Sequence, residues 1–343
     1  MEFLLLITVA IIIFSLLFDF INGFHDTANA VATAVSTRAL SPRQAILLAA
    51  FMNFIGALTF TGVASTITKE IVDPFTLENG LVVVLAAILA AIVWNLVTWY
   101  YGIPSSSSHA LIGAIAGAAI ASAGSFNVLH YQGFTKIVLV LLLSPVIAFI
   151  VGFIIYTIVK TIFRNANLTR TNRNFRIFQI FTASLQSFSH GTNDAQKSMG
   201  IITLALIVAN LQTSVEPALW VKVSCATAMG LGTAIGGWKI IKTVGGNIMK
   251  IRPANGASAD LASALTIFVA SSLHFPLSTT HVVSSSILGV GSSNRIKGVH
   301  WNTAKRMIVT WVITLPISAV IAAVFYLILN LSLIHISEPT RPY

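Results

Sequence analysis

Two short polar motifs, each with a central aspartate, stand out from an otherwise apolar sequence. Asp26 lies in the run from Gly23 to Ala30, and Asp194 lies in the related run from Gly191 to Ser198, about 170 residues later. Carboxylate, amide and hydroxyl oxygens come together in both runs, and these are the ligands that hard cations prefer. A single intramembrane aspartate could equally serve a contact between helices, but its duplication with polar neighbours favours an ion site on a transport path.

Two hydroxyl-rich runs repeat at nearly the same interval, and each follows a proline. Pro104 precedes four serines, Pro276 precedes Leu-Ser-Thr-Thr, and a histidine closes both runs. Proline fixes φ at the start of a helix, where Ser and Thr can cap the free N–H groups. Because helix N-termini attract anions, two such ends that meet from opposite sides predict a cage of donors for a small oxyanion. The alternative, left open here, is that the hydroxyls only pack between helices.

The charge of the two aspartates restricts what can bind beside them. An anion near them meets like charges, and each unit pair costs about 3 to 4 kcal/mol at about 4 to 5 Å with an effective dielectric constant near 20. Such a site therefore needs cations, which predicts symport of an anion with a small cation. Sodium is the natural candidate, and protons on the same carboxylates stay open.

The composition indicates that lipid surrounds most of the chain. Of 343 residues, 56% are hydrophobic and 9% are charged, and the mean hydropathy is +0.86, which excludes an ordinary soluble domain. The net charge of +10 fits cytoplasmic loops of a membrane protein better than nucleic-acid binding. One cysteine, Cys225, allows no intrachain disulfide. The N-terminal stretch lacks the features of a cleaved signal and is expected to be a mature helix.

Loop charges predict that the second half enters the membrane in the opposite orientation to the first. Basic residues mark the predicted cytoplasmic side, including those between residues 160 and 176. Residues 80–121 begin and end outside, and residues 257–292 begin and end inside, as re-entrant hairpins or as two complete crossings. The first half therefore makes an odd number of passes, which predicts an inverted repeat with both termini outside.

The elements that position the motifs are predicted to be broken helices in an all-α, polytopic membrane protein. Residues 3–37 are too long for one straight crossing of ~30 Å, which places a break near Gly23, with a matching break at residues 190–197. The expected organisation is an N-terminal repeat over residues 1–160, a basic cytoplasmic linker over 161–176, a C-terminal repeat over 177–331, and a polar, non-native tail over 332–343.

At these residues the sequence resembles the inorganic phosphate transporter (PiT) family of sodium- or proton-coupled symporters. The family signature is similar to Gly-Ala-Asn-Asp-Val-Ala-Asn-Ala, and residues 23–30 match it except at Phe24, His25 and Thr27. Residues 191–198 resemble its C-terminal form, and the likeness extends to about residue 330. The resemblance implies inorganic phosphate as substrate, whereas the residues alone indicate a small oxyanion. His25 stands where Asn is usual, which implies a replaced ion ligand or proton sensitivity in one half.

The resemblance and the oxygen chemistry together assign roles to individual residues. Sodium is expected at Asp26, Asn29, Asn193, Asp194, Ser105 and Ser278. Phosphate is expected at Ser106, Ser107, Thr192, Thr279 and Thr280, and Gln196 is assigned to phosphate with sodium as its alternative. Lys197 either belongs to the site or extends to the cytoplasmic membrane surface. His109 and His281 are expected to be packing groups, and the role of His190 is left open.

The sequence thus predicts a secondary transporter, not an enzyme, that carries phosphate with sodium across the cell membrane by alternating access. The expected partners are phosphate, sodium and the lipid bilayer, with a homodimer as one assembly left open and no cofactor beyond sodium. The alternatives are proton coupling, a cation channel or exchanger, and an intramembrane aspartyl protease. The paired hydroxyl runs argue against a channel, and the duplicated asparagines argue against a protease. Selectivity among phosphate, arsenate and sulfate is left open.

Overall fold

The computed structural model describes residues 2–71, 77, 79–235, 241 and 244–337, and nearly all of them are helical. The first half contains α1 (Glu2–Ser36), α2 (Pro42–Thr59), α3 (Gly62–Glu70), α4 (Gly80–Tyr100), α5 (Ser107–Ala123) and α6 (Tyr131–Ile162). The second half contains α7 (Leu168–Val208), α8 (Leu219–Ile235), α9 (Pro253–Ser272), α10 (Thr279–Arg295) and α11 (Trp301–Ser337). The predicted all-α fold with an internal repeat is confirmed.

Several of the described helices can cross a membrane by length and composition. They include most of α1, all of α4 and α6, and the part of α11 up to Ser332. Helices α2 and α3 form a fifth candidate that bends by 65° at the break between them. Helix α7 falls outside this set because its central turns carry the second polar motif, and those turns are buried by protein.

Helices of each half pack on helices of the other half. Helix α5 packs on α11, the last helix of the second half, and α10 packs on α6, the last helix of the first half. In the same way α1 packs on α8 and α2 packs on α7. Both α6 and α11 contain an internal proline, Pro145 and Pro316, as the fifteenth and sixteenth residue of the helix, respectively. The repeat is therefore one interlocked body in which each half completes the core of the other.

Neither of the two predicted helix breaks occurs. Helices α1 and α7 run through their motifs without interruption, over 35 and 41 residues. The glycines instead allow close packing: a Cβ at Gly23 would clash with the backbone of Met229 and Thr233 on α8, and one at Gly191 would clash with Asn53 on α2. The break was wrong because the motif side chains find partners on neighbouring helices, so no backbone needs to unwind to supply ligands.

Two helical hairpins carry the hydroxyl runs and meet inside the protein. Hairpin 1 is α4 and α5 with the turn at residues 101–106, and hairpin 2 is α9 and α10 with the turn at 273–278. Ser108 donates a hydrogen bond to the carbonyl of Leu277 at 2.6 Å, and the rings of His109 and His281 lie 4.5 Å apart. In an inverted repeat, complete crossings would leave the turns on opposite surfaces, ~30 Å apart. The contact therefore fits re-entrant hairpins.

Two predicted boundaries differ from the helices observed. Residues 161–176 are mostly helical, because α6 extends to Ile162 and α7 begins at Leu168, so the connection itself is five residues long. The basic side chains of this region lie on the exposed first turns of α7. Helix α11 continues to Ser337, past the predicted start of the tail, and residues 338–343 lie outside the described part of the chain.

Candidate functional site

The first residues of α5 and α10 place matching hydroxyls in the protein interior. Ser106 and Ser278 are N-caps, and their Oγ atoms accept from the backbone N–H of the residue three positions later, at 3.1 and 3.3 Å. The residue after each N-cap is the first residue of its helix, Ser107 in α5 and Thr279 in α10. Each of them donates a hydrogen bond to the aspartate of its own half at 3.0 Å. The sequence repeat is thus repeated in the hydrogen bonds.

This register corrects one predicted pairing. Ser105 and Ser278 were both assigned to sodium, but the position that matches Ser278 in the first half is Ser106. Ser105 donates instead to Thr98 on α4, at 2.8 Å, and so closes the turn of hairpin 1. Direct roles for Ser105, Ser106 and Ser278 in binding ions stay predictions, whereas their structural roles are clear.

The carboxylate of Asp26 is fully buried and is held by both hairpins. It accepts from Ser107 of hairpin 1 and from Thr280 of hairpin 2, both at 3.0 Å. His25 Nδ1 lies 2.7 Å from its Oδ1, and the other ring nitrogen of His25 contacts Thr98. Asn29 donates to Thr280 at 3.0 Å, while its buried Oδ1 has no hydrogen-bond partner among the described residues. That free oxygen suits a cation.

The carboxylate of Asp194 is equally buried but is paired with a charge. Lys197 Nζ lies 2.8 Å from Asp194 Oδ1 and also donates to Ser107 at 3.2 Å. Asn22 donates to the second carboxylate oxygen at 3.3 Å, and His190 Nε2 lies at the same distance from it. Lys197 is 1% exposed, so the alternative that it extends to the membrane surface is wrong.

The two aspartates share one site. One oxygen from each carboxylate and a ring nitrogen of His190 lie within 4.8 Å of one another, which could hold a metal ion. Ser107 connects the halves, because it donates to Asp26 and accepts from Lys197. Asp26 lies twelve residues before Arg38, which at ~1.5 Å per residue is ~18 Å from the predicted cytoplasmic surface, close to mid-bilayer. We call this group the central cluster: Asp26, Asn29, Ser107, Asp194, Lys197, Thr279 and Thr280.

Three other predicted ligands lie outside the central cluster. Asn193 binds hairpin 2 from the side: its amide donates to Ser271 and to the carbonyl of Phe275, and its oxygen accepts from the N–H of Leu277. Thr192 donates to Ser189 O at 2.6 Å and to Ser271. Gln196 donates to Thr192 O. The roles of these three residues as ion ligands stay predictions, and in this structure their polar groups position α9, α10 and α3.

Gln196 completes the start of α3. Its Oε1 accepts from the N–H groups of Val63 and Ala64, at 2.8 and 3.1 Å, where Thr61 provides no side-chain cap. Gln196→Ala is therefore expected to lower the free energy of unfolding by about 1 to 3 kcal/mol, because buried donors lose their acceptor. Thermal unfolding of the purified protein measures this. Gln132→Ala, at an exposed position, is the control and should change little.

Two buried acids were missed from the sequence. Asp19, on α1, accepts from Ser198 at 2.7 Å, and its Oδ2 has no hydrogen-bond partner among the described residues. Asp260, on α9, is bound by Thr33 at 2.5 Å and by Gln179 at 3.3 Å. Neither aspartate has a counterpart in the other half, so a search for duplicated motifs does not find them. The signal available was a carboxylate directly next to a long uncharged window.

The comparisons with known proteins agree on one family. The model of the Phosphate transporter family matches the chain twice, over residues 22–174 and 164–322. A Bacillus subtilis (strain 168) protein named "Probable low-affinity inorganic phosphate transporter" is 70% identical, over 96% of this chain and 99% of its own length. A protein of the same name from Rhizobium meliloti (strain 1021) is 43% identical, over 93% of this chain and 95% of its length.

A solved structure shares the whole architecture. It is described as "The sodium-dependent phosphate transporter", has a TM-score of 0.85 and 27% sequence identity to this chain, and the match covers 95% of this chain and 99% of the other. The double match of the family model also corresponds to the two halves that share the central cluster. The chain is therefore a multi-pass membrane protein that belongs to the phosphate transporter family.

Proposed function

We propose that this protein carries inorganic phosphate across the cell membrane together with sodium, by alternating access. The observation that supports it most is the convergence of two buried carboxylates with hydroxyls from the tips of two hairpins. Its family and its fold are those of transporters and not of enzymes. An intramembrane aspartyl protease is therefore excluded as an alternative.

The charge of the central cluster supports coupling to a cation. Two carboxylates and one ammonium leave a net charge of −1 when the imidazoles are neutral. Phosphate adds one or two further negative charges, and each like-charge pair costs about 3 to 4 kcal/mol at about 4 to 5 Å under an effective dielectric constant near 20. Cations that bind with phosphate remove this cost. The solved relative is described as sodium-dependent, which favours sodium.

The hydrogen bonds suggest an order of binding. Ser107 and Thr279 direct their O–H groups at carboxylates, so these protons are not available to phosphate. A sodium ion on the carboxylates would coordinate the hydroxyl oxygens. The O–H groups would then point away from the carboxylates and could donate to an anion. In this mechanism sodium binds first, the hydroxyls then donate to phosphate, and a movement of one bundle opens the opposite side. The outward position of both termini and assembly as a homodimer stay predictions.

Separate ion gradients test the coupling. We would reconstitute the protein into vesicles and measure uptake of labelled phosphate under a sodium gradient at equal pH, and under a pH gradient without sodium. Sodium coupling predicts uptake in the first condition alone. Uptake that ignores the sodium gradient would overturn sodium coupling but not phosphate transport.

Proton coupling is the second candidate, and three acids favour it. His25 lies 2.7 Å from Asp26, and His190 lies 3.3 Å from Asp194, so each central aspartate has a titratable neighbour. Asp19 is fully buried, and no lysine, arginine or histidine forms an ion pair with it among the described residues. An unpaired carboxylate charge is costly inside a membrane protein, and a bound proton removes it. Uptake driven by the pH gradient alone would select this candidate.

The hydroxyl assignment predicts how single substitutions change the substrate requirement. Ser107→Ala and Thr279→Ala are each expected to raise the phosphate concentration for half-maximal uptake about tenfold, because a donor to the anion is lost, and to change the sodium requirement less. Uptake titrations with each ion measure both quantities.

Ser106→Ala separates the two roles of the neighbouring residue. It removes the N-cap of α5, so it should cost about 1 kcal/mol of stability, and a raised phosphate requirement would in addition assign Ser106 to the anion, as the sequence predicts. If Ser107→Ala and Thr279→Ala raise the sodium requirement more than the phosphate requirement, these residues belong to the sodium site and not to the phosphate site.

A further inference from the structure

A cavity with both polar and apolar walls lies at the tip of hairpin 1, on the predicted cytoplasmic side. Its volume is about 690 Å³, and its walls include Gly102, Ile103 and Pro104 of the hairpin turn and the first turns of α11. Lys305 and Arg306 line it. We call it the vestibule cavity. It lies outside the central cluster, and the transport mechanism described above does not use it.

The chemistry of the vestibule cavity suits a phosphate group. Besides Lys305 and Arg306, the polar side chains that line it are Asn247, Asn302, Thr303 and Thr310. Neither cation forms an ion pair with a carboxylate in the described residues. Arginine and lysine with neighbouring amides are the groups that bind phosphate oxygens in proteins.

The opposite end of the repeat provides a comparison. Lys136 is the sixth residue of α6, as Arg306 is of α11, and it lies beside the tip of hairpin 2, 5.3 Å from the ring centre of Phe275. There Glu70 lies 3.8 Å from Lys136 and offsets its charge. The two hairpin tips thus lie beside equivalent cations, but among the described residues a carboxylate accompanies the cation only at the tip of hairpin 2. An anion is therefore attracted to the vestibule cavity more than to its counterpart.

The cavity is also connected to the central cluster. Trp311 Nε1 donates to the carbonyl of Pro104 at 3.3 Å, which attaches the tip of hairpin 1 to α11. Three residues after Pro104, Ser107 contacts both Asp26 and Lys197. An anion held by the side chains of α11 beside this tip would therefore restrict the movement of the hairpin that carries Ser107.

We propose that the vestibule cavity is a second anion site, independent of sodium, that binds a phosphate group through Lys305 and Arg306. The group belongs either to free inorganic phosphate or to the headgroup of an anionic lipid, which share this chemistry. The inference does not require sodium coupling, since it concerns binding away from the two aspartates.

The test measures binding of labelled inorganic phosphate to the purified protein in phosphatidylcholine nanodiscs, with and without sodium. We expect a sodium-independent component that Lys305→Gln combined with Arg306→Gln weakens about tenfold or more, because two charge-assisted contacts are lost. Lys136→Gln, at the equivalent position, is the control and should retain this component. The side chains of Lys305 and Arg306 are exposed, so the double variant should unfold at the same temperature as the wild type.

A second arm distinguishes the two sources. In nanodiscs that contain phosphatidylglycerol, native mass spectrometry should show more bound anionic lipid on the wild type than on the double variant if a headgroup occupies the cavity. Equal phosphate binding by wild type and double variant, together with equal retention of anionic lipid, would overturn the proposal. If the wild type shows no sodium-dependent component of phosphate binding, that result would count against sodium coupling and not against this site.

Discussion

Asp194→Asn is expected to abolish phosphate uptake and also to destabilise the protein, whereas Asp26→Asn is expected to abolish uptake in a folded protein. Asp194 is the buried partner of Lys197, at 2.8 Å. Removal of one member of a buried ion pair leaves an uncompensated charge and costs about 3 to 5 kcal/mol. Asp26 accepts from neutral hydroxyls, one on each carboxylate oxygen, and lies beside His25. In Asn the carbonyl oxygen keeps one of these hydrogen bonds, and the other hydroxyl can rotate to accept from the amide N–H, so no buried lysine loses its counter-charge. Uptake in vesicles and thermal unfolding measure the two effects.

A double variant provides the control for this asymmetry. Lys197→Gln added to Asp194→Asn removes both charges, so the protein should regain most of its stability while uptake stays absent. The sequence alone does not indicate this asymmetry, because it does not identify the charged partner of Asp194. Normal sodium-driven uptake by Asp26→Asn, or a double variant no more stable than Asp194→Asn, would contradict the account.

A covalent link between the hairpin tips is expected to stop transport reversibly. Ser108 Oγ lies 2.6 Å from the carbonyl oxygen of Leu277, and alternating access requires one bundle to move relative to the other. In a Cys225→Ser background, Ser108→Cys combined with Leu277→Cys should cross-link under mild oxidation. Uptake should then fall to background and return after reduction, as measured with labelled phosphate in vesicles.

The single-cysteine variants and Cys225→Ser alone are the controls for the cross-link, because each should keep its uptake under oxidation. Cys225 is the one cysteine of the sequence, so its replacement leaves only the two introduced thiols. Full uptake by cross-linked protein would contradict the mechanism, because it would show that transport does not require the tips to separate.

Duplication made the centre of the site predictable from the sequence. Asp26 and Asp194, with Ser107 and Thr279, stand in equivalent positions of two repeats, and a repeat that packs on itself brings equivalent residues to a common point. The same logic missed Asp19 and Asp260, which are buried but have no counterpart. The aligned runs Pro104–His109 and Pro276–His281 already pair Ser106 with Ser278, and the structure confirms this register, whereas the assignment of Ser105 to sodium departed from it.

The remaining differences depend on contacts between residues that are distant in the sequence. Lys197 looked like a residue that could extend to the surface, but besides Asp194 on its own helix it contacts Ser107 of hairpin 1, which is distant in the sequence. Gln196 looked like a ligand because its motif is polar, but its oxygen caps α3. The helices stay unbroken because neighbouring helices supply partners, and Gly23 and Gly191 serve packing.

Crystals soaked with arsenate, an anomalous scatterer of phosphate shape and charge, test the central claim most directly. The account predicts, in the presence of sodium, an anomalous peak between the N-termini of α5 and α10, within hydrogen-bond distance of Ser107 and Thr279. A peak found elsewhere, with none between these two helix starts, would show that the paired aspartates and hydroxyls do not form the substrate site.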